Sequence, residues 1–379
     1  MRIELTDKQK ENRSAFRKFV DEAVIPHAAE YDRQERMPTE DIRRIARRGY
    51  LGAILPEAVG GAGMDMISFG LLNEELGRGC SSLRSLLTVH SMVAVAIQRW
   101  GSKAQREVWL PRLAGGGGIG AFALTEPNVG SDAKSIETAA RAEGDEYVLN
   151  GEKRWITFGQ VADVFLVFAQ CEGQSAALLV ERETPGLSIR PVSGMLGVRA
   201  SMLAELCLRD CRIPKVNLVG RLGFGLSHVA AAALDCGRYS VAWGCVGIAQ
   251  ACLEASLRYT NQRKQFGNYL KEHQLVRRTI TEMITNVEAA RLLCYQAGYL
   301  KDKGDPAAII QTSMAKYFAS RTASKASIDA VQLHGANGCS NSYPVERYLR
   351  DARIMEIIEG STQIQQLTIA NYGYQQQGQ

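Results

Sequence analysis

Several residues in this chain have the types and spacing to do chemistry. Glu359 follows Ile357 and Ile358 and precedes Gly360. Apolar neighbours disfavour an ionised carboxylate and lift its pKa toward neutrality, where it can accept a proton. The glycine lets another molecule approach closely. The same glutamate also reads as a helix-end cap or a surface ion pair. Thr125, Ser131 and Thr157, with Trp155 close to the last, offer hydroxyl donors beside a large aromatic ring. Such a set suits the edge of an anionic ligand; taken singly, these are ordinary strand and turn hydroxyls and a core indole. Arg84 carries a guanidinium able to grip a carboxylate in two-pronged fashion, or it is a surface or interdomain arginine. Arg43, Arg44, Arg47 and Arg48 recur at helical spacing and read as a solvated face rather than an anion site.

These groups need a framework, and the chain divides into three parts. Residues 1–120 read as helical, with Phe16, Phe19, Val20 and Ala23 at three- and four-residue spacing. Pro56 to Met64 is a loop, and the run Gly115 to Gly118 predicts a hinge. Residues 121–222 change to short strands: Tyr147–Leu149, Trp155–Thr157, Val164–Ala169, Ala176–Val180, Leu187–Pro191 and Glu205–Leu208. Asn150-Gly151 predicts a hairpin turn, because both residues tolerate positive φ. Residues 223–379 return to helical period. Ala242, Val246, Ala249, Leu253 and Leu257 line one face of a long helix, and further helices are expected over Gln274–Lys303, Pro306–Leu333 and Tyr343–Tyr372. The expected class is α+β: an N-terminal helical domain, a middle β domain and a C-terminal four-helix bundle, with a disordered tail over Gln375–Gln379.

A length of 379 residues suits two or three packed units, and 46% hydrophobic with 22% charged residues excludes a disordered or collagen-like chain. The 45 basic against 40 acidic residues leave a mild +5, which does not favour nucleic acid as a partner. The nine cysteines are scattered and read as reduced core thiols; with the five histidines they form no ligand spacing, so no metal is expected. Met1 to Glu11 lacks the apolar stretch of a secretion signal, and Val229–Leu234 is too short to span a bilayer. A cytoplasmic protein without a membrane role is expected.

Five short motifs then fall in order. They are Thr125-Glu126-Pro127 followed by Gly130-Ser131-Asp132; Trp155-Ile156-Thr157; Arg263-Lys264-Gln265-Phe266-Gly267; Arg350-Asp351-Ala352; and Glu359-Gly360. Together they resemble the acyl-CoA dehydrogenase family over nearly the whole chain. The resemblance implies an FAD flavoprotein that desaturates an acyl thioester: a base takes the Cα proton while the Cβ hydrogen leaves as hydride to flavin N5. It implies that Glu359 is that base. Thr125 would contact the pyrimidine side of the isoalloxazine, Ser131 the pyrophosphate and Thr157 the N5 region, with Trp155 packed against the ring system and Ser361 and Gln363 nearby. Arg263, Phe266, Gln332 and Gly335 match residues that meet the FAD of a neighbouring subunit, implying a homodimer or tetramer. Some relatives carry the base on the earlier long helix, before an arginine; here that position is Gly237, ahead of Arg238, and Asp235 is a minor competitor. The chain departs from the family with Ala336 after Gly335, Ser361 after Gly360, and Ile358 where a tyrosine often precedes the base.

Arg84-Ser85 leading to Thr88, and Arg238-Tyr239 leading to Ala242-Trp243-Gly244, resemble the glutaryl-CoA dehydrogenase branch. Arg84 and Arg238 are therefore expected at the substrate, with Arg84 on a polar acyl end. The same segments resemble dehydrogenases of polyketide and peptide assembly lines, which act on small hydroxyacyl or aminoacyl groups held by an acyl carrier protein. Both imply a short, polar acyl group, on CoA or on a carrier, with an electron-transfer flavoprotein or oxygen as the acceptor. A non-catalytic scaffold would have lost the base or the hydroxyls, and none is lost.

Overall fold

The computed structural model describes residues 4–377. Six helices come first: α1 (Asp7–Ala23), α2 (Ile25–Gln34), α3 (Thr39–Arg47), α4 (Met66–Gly79), α5 (Ser81–Trp100) and α6 (Lys103–Ala114). Capping boxes start two of them, Thr6 with Gln9 on α1 and Ser102 with Gln105 on α6; each satisfies amide donors that the first turn leaves free. Helices α4 and α5 are buried along almost their whole length, so this pair forms core rather than an amphipathic surface. The basic run on α3 is a solvated face as expected, with Arg44 pairing Asp41 and Arg47 pairing Glu40.

After Gly115–Gly118 come seven strands: β1 (Gly120–Ala123), β2 (Ala139–Glu143), β3 (Glu146–Ile156), β4 (Val164–Cys171), β5 (Gln174–Glu181), β6 (Leu187–Pro191) and β7 (Ala204–Pro214). They pair in the order β1-β4-β2-β3-β7-β6, with β5 also on β4. Asn150 and Gly151 do not form a hairpin turn. The chain turns at Gly144-Asp145, and Asn150-Gly151 lies inside β3 at a register shift against β7. Long-range contacts override the local turn signal. The Asn150 side chain bonds Asp210 across the sheet, and a Cβ on Gly151 would come 2.7 Å from Thr138 Cα.

The chain then enters α7 (Ala231–Gln262) through a π-helical turn over Gly225–Ala230. The hairpin β8 (Lys264–Gln265) and β9 (Asn268–Tyr269) leads to α8 (Gln274–Asp302) and α9 (Ala308–His334). The stretch Gly225–Gln262 is much longer than Val229–Leu234. By length and composition it would cross a membrane, but most of its apolar window is buried within the protein. Helix α4 crosses it at backbone contact: a Cβ on Gly77 would lie 2.7 Å from Gly244 Cα. Leu257, expected on the buried face, is exposed. The last expected helix is in fact two, α10 (Val345–Met355) and α11 (Thr362–Gln377). Glu359 and Gly360 between them have φ of +54° and +85°, and consecutive left-handed residues cannot continue an α-helix. The tail expected to be disordered is helical through Gln377, and Gly378 and Gln379 lie outside the described residues. Eight cysteines are buried free thiols; Cys339 is exposed, so it is not a core thiol.

Candidate active site

The break between α10 and α11 carries the site. The backbone there is held by donors from three elements: Arg238 Nε on α7 donates to the Glu359 carbonyl at 3.1 Å and Lys316 Nζ on α9 to the Gly360 carbonyl at 2.8 Å. Gln365 Nε2 on α11 donates to both carbonyls at 3.2 Å. A left-handed non-glycine residue persists only when its surroundings enforce it, and these bonds do so.

The Glu359 side chain points from this break onto α7. A Cβ added to Gly237 would sit 2.5 Å from Glu359 Oε2 and 2.7 Å from Met92 Sδ on α5. Oε2 is buried with no hydrogen-bond partner. Burial pushes the carboxyl up to about 7, against the lowering pull of Arg238, Lys316 and Arg84. A raised pKa was expected. Of the two apolar neighbours, Ile357 is 54% exposed and Ile358 packs partly buried on the core, while Gly237 and Met92 lie against the carboxyl from α7 and α5. Position 237, which the resemblance singled out as the alternative place for a base, thus faces the Glu359 carboxyl. Asp235 is no competitor, because its carboxylate pairs with Lys301.

Arg84 on α5 is completely buried. Nη1 donates to Thr88 Oγ1 at 2.7 Å, while Nη2 reaches Ser85 Oγ at 3.3 Å and Met355 Sδ at 3.4 Å. Its Nε has no partner, and among the described residues no carboxylate forms an ion pair with it. Burial holds this guanidinium below its usual pKa, with Cys245 and Glu359 acting to raise it. Thr88 Oγ1 lies 2.6 Å from Ser240 Oγ, which donates to Asn73 Oδ1 at 2.5 Å. Arg84 is therefore tied to α7 by a chain of hydroxyls.

The hydroxyl and aromatic set lies on the middle sheet. Thr125 follows β1, and its carbonyl accepts from Arg154 N at 2.8 Å, which brings it beside the end of β3. Trp155 there has φ of +61° and is 42% exposed; Arg154 stacks on its ring at 4.5 Å. Beneath this edge, Lys153 Nζ is buried against Glu126 Oε1 at 2.6 Å, and Glu126 also accepts from Thr138 Oγ1 at 2.5 Å. Thr125 and Thr157 are partly exposed and Ser131 is exposed. A half-exposed indole near the Thr125 and Thr157 hydroxyls, with the exposed Ser131 hydroxyl on the loop after β1, fits the chemistry of FAD, which offers an aromatic ring system, acceptor atoms along one edge and a pyrophosphate.

Ser361 and Gln363 sit at the start of α11, where Ser361 Oγ accepts from Ile364 N at 3.4 Å. The remaining predicted residues do not join this cluster. Arg263 caps the far end of α7, 26 residues beyond Gly237, which at 1.5 Å per residue is about 39 Å away. Phe266 on the adjacent hairpin is 93% exposed, and Gln332 and Gly335 are exposed at the end of α9. Tyr259 joins these two ends, donating to the His334 carbonyl at 3.2 Å.

Sequence reasoning missed Lys316, Gln365, Met92 and Ser240. Lys316 had a signal, a lone cation among the small residues of a buried helical face; the others had none.

Three family models cover the chain: acyl-CoA dehydrogenase N-terminal domain over residues 6–117, middle domain over 121–211 and C-terminal domain over 225–373. A probable acyl-CoA dehydrogenase of Bacillus subtilis is 40% identical over 98% of this chain and 99% of its own length. The mitochondrial short-chain specific acyl-CoA dehydrogenase of Rattus norvegicus is 38% identical over 98% and 91%. The solved glutaryl-coenzyme A dehydrogenase in complex with glutaryl-CoA superposes with a TM-score of 0.94 at 35% identity, covering 98% of this chain and 96% of that one. With three domains matched in order and a relative 40% identical over nearly the whole chain, the chain belongs to the acyl-CoA dehydrogenase family.

Proposed function

We propose that this protein oxidises a short acyl thioester with a polar, anionic far end, using Glu359 as the base. The general reaction follows from family membership: the chain is an FAD-dependent oxidoreductase that dehydrogenates acyl-CoA thioesters. The observation that carries the assignment is Glu359 Oε2, a buried oxygen with no partner on a carboxyl poised at about 7. At neutral pH such a group is part ionised and gains a favourable partner when it receives a Cα proton. Bound FAD supplies the acceptor for the Cβ hydrogen. Thr125, Ser131, Trp155, Thr157, Ser361 and Gln363 are the residues that would hold it. Lys316, Arg238 and Gln365 keep the base aimed by fixing its own carbonyl and that of Gly360. With its Nε on the Glu359 carbonyl, Arg238 serves the base more directly than the substrate.

Arg84 supports the polar acyl end, because a buried guanidinium without a counter-ion is costly until a ligand brings one. Arg263, Phe266, Gln332 and Gly335 lie too far along the bundle to serve the same cofactor, which supports their meeting the FAD of a second copy in a homodimer or tetramer. Residues 1–120, 121–222 and 223–379 act in this reading as domains enclosing the site. A cytoplasmic location, CoA as the handle and an electron-transfer flavoprotein as acceptor complete it.

The test is anaerobic mixing of the purified flavoprotein with short thioesters, plain and carboxylate-ended, on CoA and on a carrier protein, while following bleaching of the flavin band. Preferential bleaching by carboxylate-ended CoA esters is expected. Bleaching by carrier-bound esters alone overturns the CoA handle, and preference for plain acyl groups overturns the role of Arg84.

A further inference from the structure

We propose that Gly244 is a specificity-determining position that acts through Arg84. This inference rests on the reading above, that Arg84 meets the anionic end of the acyl group. Gly237, Ser240 and Gly244 follow one another on α7 at intervals of three and four residues, so they share one helix face. Each meets a different part of the site. Gly237 faces the Glu359 carboxyl, Ser240 joins the hydroxyl chain through Thr88, and Gly244 lies under the Arg84 side chain.

The contact at Gly244 is intimate. A Cβ there would overlap Arg84 Cδ, stand 2.7 Å from Nε and 3.4 Å from Cζ. The guanidinium stem thus lies on bare helix backbone, and any side chain at this position must displace it. The approach of α4 is a separate matter. Gly77 packs onto the Gly244 backbone, but the three atoms nearest to an added Gly244 Cβ all belong to Arg84. Arg84 has nowhere else to go without loss, because it is fully buried and its Nη1 is anchored on Thr88 at 2.7 Å. Glycine at 244 therefore determines whether the wall of the acyl pocket can present a cation, and a larger residue would leave a wall suited to plain acyl chains.

The experiment measures kcat and KM of the holoenzyme with glutaryl-CoA and butyryl-CoA for wild type, G244A, R84A and R84A/G244A. Loss of an aligned charge-assisted contact predicts that G244A lowers the preference for glutaryl-CoA roughly tenfold or more, chiefly through KM. R84A lowers it at least as far, and the double variant no further than R84A alone. Equal loss on both substrates in G244A, or losses that multiply in the double variant, would overturn the proposal and leave Gly244 a packing residue. If the wild type has no preference, or R84A leaves it unchanged, the reading of Arg84 itself fails. Should G244A not fold, R84A/G244A is expected to recover flavin content and melting temperature, since removing the stem vacates the space. Failure to recover would also overturn the proposal.

Discussion

Replacing Gly237 by alanine puts the placement of the base to a direct test. The new methyl would stand 2.5 Å from Glu359 Oε2, whereas ordinary contact begins at about 3.4 Å, so the two must part by about 0.9 Å. Met92 Sδ at 2.7 Å closes the other side, and the Glu359 backbone is pinned by Arg238 and Gln365. The carboxyl must therefore swing rather than slide. A displacement near 1 Å costs about a hundredfold in rate when geometry limits the step, equivalent to about 3 kcal/mol of barrier. Overpacking adds about 1–3 kcal/mol of lost stability, which the fold tolerates. The assay is the anaerobic single-turnover rate of flavin reduction by a saturating short acyl-CoA, with FAD content and melting temperature as controls. A rate within about twofold of wild type in a protein that keeps its FAD would refute the geometry, since so small a change leaves no room for a displaced base.

Other outcomes follow from the same site. Lys316→Met removes a positive charge that favours the ionised form of Glu359, so the acid limb of the kcat/KM profile should move above its wild-type midpoint near 7. Lys316→Arg should restore it, and an unmoved limb in Lys316→Met would exclude Lys316 as a tuning charge. Glu359→Gln should stabilise the protein in a pH-dependent way. The folded carboxyl is raised to about 7 from an ordinary 4.5, so the destabilisation is absent below the lower value and complete above the higher one. The gain should approach about 3 kcal/mol as an upper bound in urea melts at about pH 8 and vanish near pH 4; an equal gain at both would contradict the desolvated carboxyl. Because position 237 faces position 359, the pair Gly237→Glu with Glu359→Gly should regain measurable turnover over Glu359→Gly alone, read as flavin bleaching by a short acyl-CoA. No gain would mean that the two positions do not converge on one substrate atom.

Much of this was legible in the sequence because it is local. Glu359-Gly360, the Thr125 and Ser131 loop, and Trp155-Ile156-Thr157 announce themselves by residue type, and helical and strand periods separate the three parts. What stayed hidden is what distant segments do to one another. Asn150-Gly151 carries a strong turn signal, yet pairing with β2 and β7 and the Asn150–Asp210 bonds hold it inside a strand. Tyr343–Tyr372 reads as a single helix, because nothing local shows that Arg238, Lys316 and Gln365 will clamp two left-handed residues in its middle. The apolar residues before Glu359 pointed to a raised pKa, but of these Ile357 faces solvent, and the carboxyl also lies against a glycine 122 positions earlier and near a methionine on α5, neither of which is visible locally. Gly244 reads as a helix weakness until Arg84 is seen lying across it.

The central claim is that Glu359 is the base, and the most direct measurement compares wild type with Glu359→Gln under anaerobic mixing with a short acyl-CoA. The account predicts that both proteins are yellow with full FAD content, that the wild type bleaches, and that Glu359→Gln does not. Bleaching of Glu359→Gln at the wild-type rate would contradict it.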